Sequence, residues 1–211
     1  MDAIVAANYT TTDSDRVVLV PANHTFNIMP VWAANITNIV IQIDGTIRLS
    51  KRHHLITQLR PGKLYDVLYF EDVEGITFQG SGEVDGQGYM WWVRTLIALN
   101  HNGRPNLISI ERGRNIEFSG VRWINSPSFH LELKDIDGLH IHDMEIHVDM
   151  KGQLEISKLL LGEEGFIDGD GITLPMFPFN TDGIDTHARN MLIERVNVTN
   201  FDDAVAIKPC H

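Results

Sequence analysis

Apolar and polar residues alternate along this chain in short runs, and the clearest runs open on Asn or Gly: "NIVIQI" from Asn38, "GITFQG" from Gly75, "NIEFSG" from Asn115, "GLHIHD" from Gly138 and "NMLIER" from Asn190. A period of two is that of a strand with one face buried. Asn115 and Gly138 are 23 residues apart, and the other intervals are 37, 40 and 52, as if one unit of about two dozen residues were sometimes lengthened or doubled. Such a recurrence is the mark of a solenoid, in which each unit buries its apolar face on the next.

Between Leu107 and Val148 about three strands per unit are separated by turns of one to three polar residues, with Gly, Asn and Asp at the corners. Helical periodicity is nearly absent; only "SKLLLGEEG", residues 157–165, hints at a helical turn, inside a stretch at about 150–177 that interrupts the repeat and reads as a loop insertion. The pattern predicts an all-β chain, a parallel β-helix, right-handed because crossovers within one sheet prefer that hand. A β-sandwich is the competing arrangement, and the Asp-Gly pairs at 44, 85, 137, 168, 170 and 182 would serve its hairpins. At 211 residues without a Pro/Gly/Ser linker, the expected organisation is one domain over 1–211.

A solenoid changes the meaning of "FNTDGIDTHARNMLIERVNVTNFDDAVAIK", residues 179–208. Asp182 precedes the Asp202-Asp203 pair by 20 and 21 residues, about one coil, and stacked coils are about 4.8 Å apart. A turn between Phe201 and Ala204 would direct both members of the pair outward, so three carboxylates would share one patch. Crowding makes at least one easier to protonate, which is how an acid and a base arise from identical side chains. Hydrolysis of a glycosidic bond needs such a pair. Taken singly, Asn-Thr-Asp-Gly is an ordinary turn and Asp-Asp a solvated turn or a cation site; one coil apart, they point to a site.

The formal charge of -11 and the lack of a Lys/Arg stripe disfavour nucleic acid and anionic membranes as partners. The single cysteine, Cys210, permits no internal disulfide and no Cys-x-x-Cys metal site. Four Asn-x-Thr sequons, at Asn8, Asn23, Asn35 and Asn197, lean toward an extracellular protein, although the first residues lack the basic start and apolar run of a signal peptide. No apolar segment approaches the ~20 residues needed to span a bilayer.

Several segments resemble the polygalacturonase family, pectin-cleaving glycoside hydrolases built on a right-handed parallel β-helix. They are "GSGEVDGQGYMWW", "RPNLISIERGRNIEFSGVRWINSPSFHLEL", "NTDGID" and "DDAVAIK", with "RVVLVPANHTF" similar to the family's first strand. The resemblance implies Asp202 as general acid, Asp182 and Asp203 holding the water, inversion at the anomeric carbon, and neither metal nor other cofactor. Asn180 would orient its neighbours or join a buried asparagine ladder, and Lys208 would contact an anionic sugar. The expected partner is pectin or a related acidic polysaccharide, in an extracellular setting; oligomeric state stays open. Departures are Phe201 where the family has Gly or Gln, Ala204 where it has Cys, and a spacing between the acidic signatures one residue short. The family's Gly-His-Gly and Arg-x-Lys signatures would follow His211, so the C-terminal coils are expected to be missing. A carbohydrate-binding β-helix without turnover and a Ca²⁺-dependent pectate lyase are the alternatives. Trp91 and Trp92 read as packing before sugar stacking, and the histidines of "HIHDMEIH" (His140, His142, His147) find no carboxylate at metal-ligand spacing nearby.

Overall fold

The computed structural model describes residues 1–12, 16–51, 65–96, 103–149 and 178–209; the expected insertion at 150–177, with its helical hint, lies outside them. Twelve strands form one continuous parallel sheet that coils on itself: β1 (Val17–Val20), β2 (Thr25–Ile28), β3 (Val31–Ala34), β4 (Thr37–Ile43), β5 (Thr46–Leu49), β6 (Leu68–Gln79), β7 (Glu83–Asp85), β8 (Ile108–Ser119), β9 (Arg122–Ile124), β10 (Leu131–His147), β11 (Ile184–Thr199) and β12 (Val205–Ile207). Every described pairing is parallel. This is a right-handed parallel β-helix, and no antiparallel hairpin of a sandwich occurs among the described residues.

Asn38, Gly75, Asn115, Gly138 and Asn190, the residues that open the apolar runs, fall on one line. The registers β4–β6, β6–β8, β8–β10 and β10–β11 place each beside the next, and all five have positive φ, from 51° at Asn38 to 82° at Gly138. They form a corner, where the chain leaves one face of the coil for another. Glycine takes this conformation without steric cost and Asn with little. A second corner stacks Gly80, Gly120, Asp143 and Arg195, also at positive φ.

Between corners, alternate residues point inward. Ile76, Ile116 and Leu139 make one inward ladder, and Phe78, Phe118 and Ile141 another. The Phe78 and Phe118 rings stack with centroids 4.8 Å apart, and Trp123 meets each of them edge-on. Like side chains lie in register because each coil repeats the backbone of the last.

Two helices were not legible in the sequence. The first, α1 (Asp2–Tyr9), buries Ile4 and Ala7 against the first coil. Its Asn8 accepts the Thr37 N–H (2.8 Å) and donates to the Asn35 carbonyl (3.2 Å), so this sequon side chain ties the helix to the edge of β4. The second, α2 (Tyr89–Leu96), is rich in aromatic residues with little helix preference, and packing defines it. Trp91 enters the main core, while Trp92 packs with Tyr89, Val148 and Phe201 and donates its indole N–H to the Ser126 carbonyl (3.0 Å). Both tryptophans are 1% exposed, and their faces belong to packing rather than to a sugar.

Candidate active site

The Asn-Thr-Asp-Gly turn enters β11, and the Asp-Asp turn enters β12 one coil later. Parallel bonds from the Gly183 N–H to the Asp203 carbonyl (2.9 Å) and from the Ile184 N–H to the Ala204 carbonyl (3.1 Å) lock the two turns together. The shorter spacing between the signatures is therefore accommodated without a bulge between β11 and β12. One oxygen each from Asp182, Asp202 and Asp203 lies within 4.8 Å of the others. Such a trio has the donor chemistry of a divalent-cation site as well as of an acid/base set.

The three groups differ in surroundings. Asp182 is 5% exposed, whereas Asp202 and Asp203 are exposed. Burial, then the charges of Asp185 and Asp202, push the Asp182 carboxyl up to about 6 from an ordinary 3.8. Asp202 uses its oxygens as acceptors, from the Asn180 N–H (3.2 Å) and the Asp203 N–H (3.0 Å). Asn180 thus orients Asp202 through its backbone, at φ 51°; its side chain is exposed and joins no buried ladder. The buried member of that turn is Thr181, whose hydroxyl donates to the Pro178 carbonyl (2.9 Å) and accepts the Phe201 N–H (3.2 Å). Phe201 has a structural reason as well, since it packs on the aromatic cluster of α2.

Three residues that sequence reasoning passed over complete the site. Asp185 is buried beside Asp182, and among the described residues neither Asp182 Oδ1 nor Asp185 Oδ1 meets a donor. A hydrogen bond with the Asp185 side chain is one of the causes that raise the Asp182 carboxyl. Lys208 Nζ lies 3.3 Å from Asp185 Oδ2, so this lysine pairs with a buried acidic side chain. The Asp-Gly-x-Asp spacing was the available signal. His130, fully buried, receives the Ser126 N–H at Nε2 (3.4 Å) and donates from Nδ1 to the Asp182 carbonyl (3.0 Å), while its own N–H donates to the same oxygen (2.8 Å). Burial pulls it down to about 4, so the ring is neutral. Arg104 lies near enough to Asp182 to feel its charge, and its buried Nη1 has no hydrogen-bond partner among the described residues.

A groove of about 790 Å³ is lined by Trp32, Tyr69, Glu71, Glu111, Glu132 and Lys134 among others. The register of the sheet carries its floor onward from Tyr69 to Ser109, Glu132 and Asp185, one rung per coil. Groove and carboxylates thus occupy one continuous face.

The family model of glycosyl hydrolases family 28 matches residues 11–211. The chain belongs to that family. It is 26% identical over 200 residues to a polygalacturonase of Juniperus ashei, covering 90% of this chain and 33% of that protein. It is 29% identical over 197 residues to a probable endo-xylogalacturonan hydrolase of Aspergillus fumigatus, covering 91% and 42%. Among solved structures, the endo-xylogalacturonan hydrolase of Aspergillus tubingensis superposes with a TM-score of 0.69 at 22% identity, over 90% of this chain and 45% of that one, a likeness of fold. This family 28 chain spans about a third to two-fifths of the length of these curated relatives.

Proposed function

We propose that this chain carries the acid/base centre of a hydrolase that cleaves α-1,4-galacturonide bonds in pectin or a closely related acidic polysaccharide, as a secreted protein. One observation carries the reading: Asp182, Asp202 and Asp203 converge on one patch, on the face of the coil that also carries the groove. Family membership and the activities for which the relatives are named support it.

The electrostatics favour Asp182 as the proton donor, because its carboxyl holds a proton to about 6. The resemblance gives that role to Asp202, which here accepts two backbone N–H bonds and lies exposed. Asp202 and Asp203 then hold and deprotonate the water. Inversion needs the carboxyls about 6.5–9.5 Å apart, wider than their nearest oxygens stand, and the exposed Asp202 and Asp203 side chains can swing outward to admit the water. Arg104 and Lys208 supply positive charge for a substrate carboxylate.

Reducing-end release from polygalacturonate is expected to fall at least ~100-fold in both Asp182→Asn and Asp202→Asn. An aryl galacturonide, whose leaving group needs no acid, should restore turnover to Asp182→Asn alone; rescue of Asp202→Asn instead returns the donor role to Asp202. Wild-type activity in both variants would end the assignment. An unsaturated product absorbing in the ultraviolet would replace hydrolysis by elimination.

A further inference from the structure

On another face of the coil, beyond the Asn/Gly corner from the carboxylates, β10 turns Leu139 and Ile141 into the core and His140 and His142 outward. Their imidazoles stack with centroids 4.1 Å apart. Neighbouring coils bring acids to them: Glu117 of β8 is in register with His140, and Glu194 of β11 with His142. His142 Nε2 lies 3.1 Å from Glu117 Oε1, and His140 Nε2 lies 3.3 Å from Glu194 Oε1. One nitrogen of each imidazole and one Glu117 oxygen fall within 4.8 Å of one another.

The surrounding shell is built as well. Asp143 Oδ2 sits 2.7 Å from His142 Nδ1, an orientation that leaves Nε2 as the lone-pair nitrogen facing the cluster once the ring is neutral. Asp143 is itself gripped by Arg195, through Nε at 2.6 Å and a second guanidinium nitrogen at 2.9 Å. Arg195 also holds the far oxygen of Glu194 at 2.6 Å, leaving Oε1 toward His140.

We propose that Glu117, His140 and His142 form a binding site for a divalent transition cation, Zn²⁺ by its ligand chemistry, with Glu194 at the fourth position. Two imidazoles and a carboxylate suit Zn²⁺, whereas Ca²⁺ and Mg²⁺ prefer oxygen alone. A tetrahedral site with bonds of ~2.0 Å needs ligands ~3.3 Å apart, and these side chains, all partly exposed, reach that spacing by rotation. The ion staples β8, β10 and β11, three successive coils. The sequence around "HIHD" could not disclose it, because the carboxylates come from 25 residues before His142 and 54 after His140.

The test is titration of the chelator-stripped 211-residue chain with Zn²⁺ against a chromogenic competitor. One equivalent should bind with a Kd of ~1 µM or tighter. Binding should weaken at least ~10-fold in His140→Ala and in His142→Ala, and about as much in Asp143→Asn, which keeps both imidazoles. Glu117→Gln, isosteric, gives an independent loss should a histidine variant misfold, and Asp202→Asn should bind as wild type. Absence of binding tighter than ~100 µM, or histidine variants within about twofold of wild type, overturns the site; so does loss of the ion in Asp202→Asn instead.

Discussion

Asp182 and His130 meet at one backbone carbonyl and titrate in opposite senses. Because the folded Asp182 carboxyl holds its proton to about 6 against 3.8 ordinarily, the folded state binds more protons than the unfolded between those values. Stability from this group falls as pH rises through that window, and the penalty is fully present above it. His130, depressed to about 4 from 6.5, does the reverse: its contribution is lost as pH falls from 6.5 toward 4. Asp182→Asn should therefore, on the proposed function, lower activity toward polygalacturonate yet raise stability at pH 7 by about 1–2 kcal/mol, with little change near pH 3, as read from denaturant midpoints at the two pH values. No gain at pH 7 would mean that folding does not raise the Asp182 carboxyl. Asp182, Asp202 and Asp203 were readable from coil spacing; Asp185, His130 and Arg104 were not. The first hid at the start of a strand just past an ordinary turn, and the other two act from 52 and 78 residues away in sequence, a proximity created only by stacking.

At the scale of elements, the Asn/Gly corner is where the sequence spoke most plainly. A residue that must adopt positive φ has few chemical choices, so its recurrence marks the coil period. Asn115→Gly should be nearly neutral, while Asn115→Val should cost at least ~1–2 kcal/mol. Gly138→Ala should cost more than its conformational strain, since its Cβ would stand 2.8 Å from Asn115 Oδ1 at φ 82°. Chemical denaturation of the three variants checks the order, and Asn115→Val at wild-type stability would remove the corner from the account. The helices α1 and α2 escaped notice for the opposite reason. Each has only eight residues, too few to hold a helix by propensity alone, and each is helical because of what it packs on. The same packing explains Phe201, which in the sequence looked only like a departure from the family pattern.

Across the whole molecule, charge opposes the proposed substrate. The net charge is -11, and Asp66, Glu71, Glu111 and Glu132 line the groove beside Lys134. Screening this repulsion should speed encounter with a polyanion. On the proposed function, kcat/KM toward polygalacturonate should rise several-fold between 20 and 200 mM NaCl, the opposite of a basic groove; a fall with salt would place Arg104 and Lys208 in control of binding. Acidic conditions act in the same direction, by keeping the Asp182 proton in place.

By itself the sequence determined the strands, the coil period and the approximate stacking of Asp182 on the Asp202-Asp203 pair, because alternation and corner residues are local signals repeated many times. Tertiary structure alone decided which carboxyl keeps a proton, why Phe201 is tolerated, and where the partners of His140 and His142 come from. Those properties depend on burial and on contacts between coils, and no window of sequence contains both sides of such a contact.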